Sequence, residues 1–148
     1  MIIISKAKIS DATQIRQLET KIWQEEVVSK YDAPCFIRFG WCFVAKNNDK
    51  IIGAICSYLT KENKVYVCDW VVDKLYRRKN IGLKLYNKLI KETKGHDIIA
   101  LIDTKNEPSI EAHTRIGFKP YKHLKNAYNL NGGLDSGNQI LMKLKNSK

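Results

Sequence analysis

The chain has 148 residues, of which 26 are Lys or Arg and 15 are Asp or Glu, so its formal net charge is +11 at pH 7. That length suits one domain, residues 1–148, with a core of its own. With 44% hydrophobic residues and no apolar run near the ~18 residues of a membrane helix, the composition predicts a globular protein without a membrane span, and the charge favours anionic partners.

The N-terminal residues predict a strand followed by a helix. Residues 3–8 have the composition of a first strand. Residues 1–4 are apolar but too short for a secretory signal and lack its basic residues, so we expect a cytoplasmic protein. Asp11 and Gln14 have the spacing of a capping box, and the apolar residues after them recur at helical spacing as far as Trp23.

The next segment is predicted to build one side of a substrate pocket. Residues 25–31 predict a short second helix that ends near Pro34, because the residue before a proline disfavours the helical conformation. Residues 31–40 are predicted as an irregular loop of the kind that lines pockets. The aromatic residues expected to form its walls, unless they belong to the core, are Tyr31, Phe36, Phe39 and Trp41.

Three consecutive strands follow. Residues 41–46, 51–58 and 64–72 are rich in β-branched and aromatic residues. The polar turns at 47–50 and 61–63 are short enough to join neighbouring strands as hairpins. The sequence therefore predicts three antiparallel strands in the middle of the chain.

Helices and strands alternate in the last part of the chain. A helix over 81–93 and an almost uninterrupted apolar strand over 98–103 predict a crossover between two parallel strands. Pro108 begins another helix and Gly117 ends it. The last strands are predicted at 118–121 and 139–144. We expect an α/β (α+β) fold with a mixed, mostly antiparallel sheet of six to seven strands flanked by about four helices.

The cysteines and histidines predict no metal site. Their spacing contains no C-x-x-C pair and no ligand pattern that joins the two residue types. The thiols are therefore expected to be reduced and mostly buried. These residues are Cys35, Cys42, Cys56, Cys68, His96, His113 and His123.

A basic turn between a strand and a helix is the most informative local pattern. Arg77, Arg78 and Lys79 stand between the third of the consecutive strands and a helix that begins at Ile81. The unpaired N–H groups and the dipole at a helix N-terminus attract anions, and the three cations add full charges there. The turn predicts a phosphate site, with an ordinary basic helix cap as the alternative.

Two segments together resemble the GNAT superfamily of acyl-CoA-dependent N-acyltransferases. Residues 72–82 are similar to the family's pyrophosphate loop, Val-x-Pro-x-Tyr-Arg-Gly-x-Gly-Ile-Gly, and retain Tyr76, Arg77, Ile81 and Gly82. Residues 106–118 are similar to its Asn-x-x-Ala-x-x-x-Tyr-x-x-x-Gly-Phe segment and retain Asn106, Gly117 and Phe118. The resemblance implies acetyl-CoA as co-substrate and a fold whose fourth and fifth strands are parallel and splay apart.

Four departures from these patterns bear on the predicted site. Lys74 stands in place of Pro, Arg78 and Asn80 in place of glycines, and His113 in place of Tyr. Asparagine tolerates a positive φ best among the non-glycine residues, so Asn80 can still turn its N–H toward a phosphate. Arg78 fits if its φ is negative, and its side chain would then add a phosphate contact.

The resemblance also implies a set of residues that bind acetyl-CoA. The strand edge at Val71 and Val72 would pair with the pantetheine amides, and an N–H near Val72 would polarise the thioester carbonyl, which is worth about 3 kcal/mol toward a developing oxyanion. Asn106 would contact the cofactor, although Asn is also a common helix cap. The predicted cofactor-binding residues are Val71, Val72, Arg77, Arg78, Lys79, Asn80, Ile81, Gly82, Leu83, Asn106 and Ser109.

Three residues, Asp69, Tyr66 and His113, are the catalytic candidates. Deprotonating a lysine-like amine of pKa about 10.4 at pH 7 costs roughly 4.6 kcal/mol, so a base matters for such an acceptor. Asp69, which corresponds to an acidic position in the superfamily's polyamine acetyltransferases, is the leading base or amine-binding carboxylate, with a structural charge as the alternative. Tyr66 lies on the same strand. His113 would protonate the departing thiolate, or be structural on a partly apolar helix face.

The predicted function is acetyl transfer from acetyl-CoA to a primary amine by direct attack in a ternary complex, since no positioned Ser or Cys nucleophile stands out. A small amine is the preferred acceptor, and a protein N-terminus or lysine is the alternative. A CoA-binding module without catalysis is the second hypothesis. A nucleic-acid binder ranks last, because no basic helix or aromatic platform accompanies the charge. A homodimer is compatible with the resemblance.

Overall fold

The protein forms a mixed sheet with helices on both faces. The computed structural model describes residues 1–133 and 136–147. The strands are β1 (Ile2–Lys6), β2 (Trp41–Asn47), β3 (Lys50–Leu59), β4 (Val65–Val72), β5 (Ile98–Asp103), β6 (Lys119–Lys125) and β7 (Asn138–Leu144). The helices are α1 (Ala12–Trp23), α2 (Asp32–Phe39), α3 (Ile81–Glu92) and α4 (Glu107–Ile116).

The sheet has seven strands in the order β1-β2-β3-β4-β5-β7-β6. All neighbouring pairs are antiparallel except β4 and β5, which are joined by the crossover through α3. The parallel pairing extends only over Val65↔Ile98 and Tyr66↔Ile99. Beyond that point the two strands diverge. The predicted fold class, including the splay, is confirmed.

Two hydrophobic cores form on opposite faces of the sheet. On one face Leu85 and Leu89 of α3 pack with residues of β2 to β5, and α4 adds Ile110 at the margin. On the other face Ile15 and Leu18 of α1 pack with α2 and with residues of β2 and β3. The apolar spacing predicted for α1 and α3 accounts for both contacts, because residues three or four apart share one helix face.

The segment before β2 differs from its prediction. Residues 25–31 do not form a helix, and the predicted loop at 31–40 is occupied by α2. Pro34 lies in the first turn of α2, where a missing N–H removes no helical hydrogen bond. The Ser29 hydroxyl accepts the Tyr31 and Asp32 N–H groups and so starts the helix. Pro34 therefore lies just after the start of a helix and does not mark the end of one.

The predicted capping box between Asp11 and Gln14 is wrong. The Asp11 carboxylate accepts the Lys8 N–H at 2.8 Å and forms an ion pair with Lys46 at 2.9 Å. Gln14 accepts the N–H of Ile51 on β3 at 3.1 Å. Both side chains thus tie the start of α1 to other elements, which a local sequence pattern does not reveal.

No helix within residues 1–133 and 136–147 is long and apolar enough to cross a membrane. Nor do the described residues contain a group of His, Cys, Asp or Glu able to hold a metal ion. The cysteines are unpaired thiols, as expected. Cys42 and Cys56 are buried, Cys68 is half-buried, and Cys35 is exposed on α2.

Candidate active site

The basic turn before α3 forms an anion cradle. Arg78 and Asn80 both adopt the left-handed conformation, with φ of 70° and 59°. In the described part of the chain, the successive backbone N–H groups of residues 78–83 have no acceptor. These donors, the start of α3 and the three neighbouring cations create a strongly positive site at the end of the loop.

The φ of Arg78 corrects the expectation that this residue fits only with a negative φ. Arg78 and Asn80 take the backbone conformation that glycine adopts without penalty. For an L-residue such as Arg that conformation costs about 1–2 kcal/mol. The loop therefore keeps a glycine-like path despite the two substitutions, and it stores strain at Arg78.

Asp73 holds the loop to the rest of the fold. Its buried carboxylate accepts the Leu75 N–H at 3.0 Å and the Lys21 ammonium of α1 at 3.2 Å. Its own N–H donates to Ile52 of β3 at 2.8 Å. The bond from Leu75 is the main cause of a lowered pKa for Asp73, with Lys21 contributing less. The start of the loop is thus fixed from two elements.

Gly82 lies where the loop meets β4. The Trp70 indole N–H donates to the Gly82 carbonyl at 3.1 Å. A Cβ on Gly82 would lie 2.9 Å from Cζ2 of the same ring, closer than packed carbons approach. The motif glycine therefore allows α3 to sit against Trp70, and this packing sets the distance between the anion cradle and the strand.

A cleft opens where β4 and β5 separate. Its cavity volume is about 350 Å³, and it runs from α4 to the segment that follows α1. Val71 and Val72 lie opposite Ala54 and Gly53 of β3, and neither lines the cavity. Because the Asp73 N–H donates to Ile52, antiparallel alternation turns the N–H of Val72 away from β3, toward the side where β5 has separated, and turns that of Val71 toward β3. The lining residues are Trp23, Glu25, Val27, Val67, Cys68, Asp69, Trp70, Ala100, Leu101, Ile102, Asp103, Asn106, Ser109, His113 and Tyr128.

A β-bulge in β4 directs Asp69 into this cleft. Val67 is opposite Ser57 and Asp69 is opposite Cys56, so Cys68 is an extra residue without a partner on β3. Before the bulge, Val67 packs in the α3 core; after it, Asp69 faces α1. A bulge changes the side on which later residues point. It thereby places an acid on the face opposite Val67.

Asp69 meets two residues of α1 that are one helical turn apart. The Trp23 indole N–H donates to Asp69 Oδ1 at 3.4 Å, and Glu19 is in hydrogen-bond contact with the carboxyl group. Glu19 is 1% exposed and Asp69 is 8% exposed. Burial is the largest cause of the raised pKa of both acids, and it raises the pKa of Glu19 to about 10. Burial therefore favours a protonated carboxyl group in this pair over two charged ones.

His113 is buried in a ring of aromatic side chains. Its Nδ1 donates to the Ser109 carbonyl at 2.7 Å, since a carbonyl only accepts, and its Nε2 therefore accepts the Tyr86 hydroxyl at 2.6 Å. Trp70 and Phe118 stack edge-on against it. Burial lowers the pKa of His113. The imidazole lines the cleft as a neutral group with both nitrogens engaged.

Tyr66 lies at the point where the strands separate, outside the lining of the cleft. Its ring packs 5.4 Å from Tyr58, and its hydroxyl is in hydrogen-bond contact with Tyr128. Burial raises the pKa of Tyr66. Tyr66 is therefore a neutral hydroxyl that touches a cleft residue, Tyr128, and does not reach the cleft itself.

None of the four aromatic residues predicted as pocket walls lines the cleft, and the alternative that they belong to the core holds for Phe36 and Trp41. Tyr31 precedes α2 and Phe39 is its last residue, and 74% and 81% of their surfaces are exposed. Phe36 stacks on Tyr58, and Trp41 packs at the margin of the α3 core. The aromatic residues that do line the cleft are Trp23, Trp70 and Tyr128.

The start of α4 contributes polar groups to the same cleft. Asn106 caps the helix by accepting the Ser109 N–H at 3.3 Å, and both residues line the cavity. Asp103, at the end of β5, accepts the Lys105 N–H through Oδ1, while its buried Oδ2 has no partner in the described part of the chain. The predicted cap role of Asn106 is present, and its position also leaves it beside the cleft.

Glu19 is the site residue that the sequence reasoning missed. It stands in the apolar stripe of α1, four residues after Ile15 and next to Leu18, all of them buried. An acid within a buried helical stripe is expensive unless it is neutralised or paired. That departure from the apolar pattern was the available signal, but its partner on β4 is 50 residues away in the sequence.

Known proteins share both a family model and a fold with this chain. Residues 12–118 match the model of the Acetyltransferase (GNAT) family. Arabidopsis thaliana Naa50, solved with the bisubstrate analogue CoA-Ac-MVNAL, has a TM-score of 0.80 at 22% identity over 97% of this chain and 98% of that chain. Arabidopsis thaliana NAA60 in complex with acetyl-CoA has a TM-score of 0.83 at 17% identity, with 97% of each chain covered.

A bacterial enzyme shares the fold as well. The ribosomal-protein-S18-alanine N-acetyltransferase from Escherichia coli has a TM-score of 0.76 at 19% identity over 100% of this chain and 96% of that chain. No curated protein sequence matches this chain. At these identities the structural likeness supports the fold alone, and the family model carries the assignment.

Proposed function

Because this chain belongs to the acetyltransferase (GNAT) family, with acetyl-CoA as its co-substrate, we propose that it acetylates a small primary amine that enters the cleft as an ammonium ion beside Asp69. The family resemblance of the two sequence motifs is confirmed by the family model. The observation that carries the proposal about the acceptor is the buried acid pair, in which Asp69 lines the cleft and Glu19 lies behind it.

The anion cradle fits the pyrophosphate of acetyl-CoA. The N–H groups of residues 78–83 have no acceptor in the described structure, and their loop has the glycine-like path that brings a backbone close to phosphate. We propose that the cradle binds the pyrophosphate, together with the charges of Arg77, Arg78 and Lys79. Acetyl-CoA supplies the acetyl thioester that the acceptor attacks.

The unpaired edge of β4 leads from the cradle to the acid pair. We propose that the backbone of Val72, turned toward the cleft, pairs with the pantetheine amides and presents an N–H to the thioester carbonyl. Asn106 and Ser109 border the opposite wall at the start of α4. A strand edge without a partner offers donors and acceptors at regular spacing, as an extended amide chain requires.

Asp69 is proposed to remove the proton that keeps the amine from reacting. The ammonium gives one proton to the Asp69 carboxylate, and the neutral nitrogen then forms a bond to the acetyl carbonyl carbon. The carbon–sulfur bond breaks, and the leaving thiolate takes the second proton that the nitrogen loses. The products are the N-acetyl amine, CoA and one proton released to solvent. Burial raises the pKa of Asp69 and so strengthens it as a base.

The charge of the chain favours a small acceptor over a basic protein. The net charge of +11 opposes the approach of a polycationic protein, whereas one small ammonium ion is attracted locally by the acid pair. The cavity of about 350 Å³ is of the size that takes small molecules.

A thiol-release assay with acetyl-CoA tests the proposal on diamines, amino sugars, amino-acid amides and short peptides with free N-termini. We expect release with a small amine, and a loss of about 10²–10⁴ in kcat at pH 7 in Asp69→Asn. Acetyl-CoA affinity should be unchanged in that variant. The matched control is Asp49→Asn, in the exposed β2–β3 turn. Turnover of peptides alone would reject the small amine, and unchanged kcat in Asp69→Asn would reject the base.

A further inference from the structure

Glu19 and Asp69 each leave one buried oxygen without a hydrogen-bond partner. Among the described residues, Glu19 Oε2 and Asp69 Oδ2 have no donor, although the two carboxyl groups are in hydrogen-bond contact. A carboxylate oxygen only accepts, so two ionised groups cannot satisfy each other. One proton held between them satisfies both oxygens. The contact itself therefore indicates an acid paired with a carboxylate.

No cation neutralises the pair from another element. Within the described residues, neither acid forms an ion pair. Arg16 lies on the same helix, but its guanidinium binds Glu26 at 2.6 Å and the Val28 carbonyl at 3.2 Å. The titratable groups that face the pair from the sheet are the thiols of Cys42 on β2, Cys56 on β3 and Cys68 on β4.

The two acids differ in what they can reach. Asp69 lines the cleft, whereas Glu19 does not and is almost fully buried behind it. The hydrogen bond from Glu19 favours the ionised form of Asp69, while burial opposes it. Asp69 also accepts the Trp23 N–H, which suits an ionised carboxylate, whereas no described donor reaches Glu19. Glu19 is thus assigned the proton, and Asp69 is the member exposed to an incoming ammonium ion.

We propose that Glu19 is a positioning residue for the acetyl transfer: its protonated carboxyl group donates a hydrogen bond to Asp69 and holds that carboxylate oriented and ionised, ready to receive the proton of the acceptor. The inference rests on the proposed function, in which Asp69 acts as the base. Glu19 touches neither substrate and acts only through Asp69.

The pH dependence of kcat separates this role from simple packing. In Glu19→Leu, Asp69 keeps its burial and the Trp23 donor but loses the donor from Glu19. The acid limb of the kcat profile should therefore move up by about one pH unit, or tenfold in rate below the limb. Glu19→Gln retains an N–H donor and should restore most of the rate. The KM for acetyl-CoA should not change in either variant. A uniform loss of kcat with an unmoved limb would overturn the proposal. Glu92→Gln, at the exposed end of α3, is the control.

Infrared difference spectroscopy tests the pair without any acceptor. The native chain should show the carbonyl stretch of a protonated carboxyl group at neutral pH, and that band should vanish in the folded Glu19→Gln variant but persist in Glu92→Gln. Absence of the band in the native chain overturns the role of Glu19 while leaving Asp69 as the proposed base. A band without turnover on any amine rejects the proposed function, and the positioning role with it.

Discussion

Replacing Glu19 with Gln should make the chain more stable at alkaline pH. Burial raises the pKa of Glu19 from 4.5 to about 10. Between those values the folded state keeps a proton that the unfolded state releases, so the stability that this group contributes is complete below pH 4.5 and is lost as pH rises toward 10. The free energy of unfolding should therefore fall by about 1.4 kcal/mol per pH unit through this group alone.

The comparison of two variants isolates that slope. Urea unfolding followed by tryptophan fluorescence would be measured at about pH 6.5, 7.5 and 8.5, an interval over which the native chain should lose roughly 2.7 kcal/mol relative to Glu19→Gln. Burial also raises the pKa of Tyr66 and Cys56, but their effect on the free energy of unfolding is the same in both chains and cancels in the comparison. Parallel stability curves would show that Glu19 is ionised in the folded state and would refute the reasoning. Glu92→Gln should follow the native chain at every pH.

Substitutions at three further positions, Arg78, Gly82 and His113, test the loop and the aromatic ring. Arg78→Gly removes the strain of a left-handed arginine but adds conformational freedom to the unfolded chain, so we expect its stability to lie within about 1 kcal/mol of the native chain. Arg78→Ala keeps the strain and should be the less stable of the two variants in urea unfolding. Equal midpoints would contradict a strained loop. Gly82→Ala places a methyl group 2.9 Å from the Trp70 ring. It should cost about 1–3 kcal/mol of stability and weaken acetyl-CoA binding in calorimetry. Unchanged binding would show that this contact does not determine the position of the anion cradle. His113→Phe leaves the Tyr86 hydroxyl unpaired and should lower the free energy of unfolding by about 1–3 kcal/mol. In a double-mutant cycle, adding Tyr86→Phe should recover part of that loss. Strictly additive effects would argue against the hydrogen bond.

The parts of the fold that the sequence predicted depend on local patterns. The apolar spacing of α3 and the β-branched runs of β2 to β4 gave elements within a residue or two of their observed bounds, such as Ile81–Glu92 and Val65–Val72. The turn at Arg78 was identified for the same reason, because its charges and the helix start are adjacent in sequence. Local patterning was therefore sufficient for β2 to β4 and for the position of the anion cradle. It did not predict the positive φ of Arg78 or the extent of β6, which was predicted to end at 121 and is observed as Lys119–Lys125.

The missed features depend on contacts between distant residues. Pro34 is compatible with a helix end or a helix start, and Ser29 decides between them by accepting two N–H groups. The Asp11 carboxylate binds Lys46 of β2, which no capping pattern indicates. Glu19 acquires its role only when α1 packs on β4. Each of these outcomes required knowing which elements meet.

Cys68, the extra residue in β4, divides that strand into two segments whose side chains alternate in opposite senses. Up to Val67, the side chains of the odd-numbered residues point toward α3. From Asp69 onward, the side chains of the odd-numbered residues point toward α1. If Cys68 instead paired with β3 in a regular ladder without a bulge, Asp69 and Trp70 would exchange faces. A carboxylate would then enter an apolar core while an indole met Glu19. A single unpaired residue thus decides which face of the sheet carries an acid, independently of the hydrophobic pattern on either side of it.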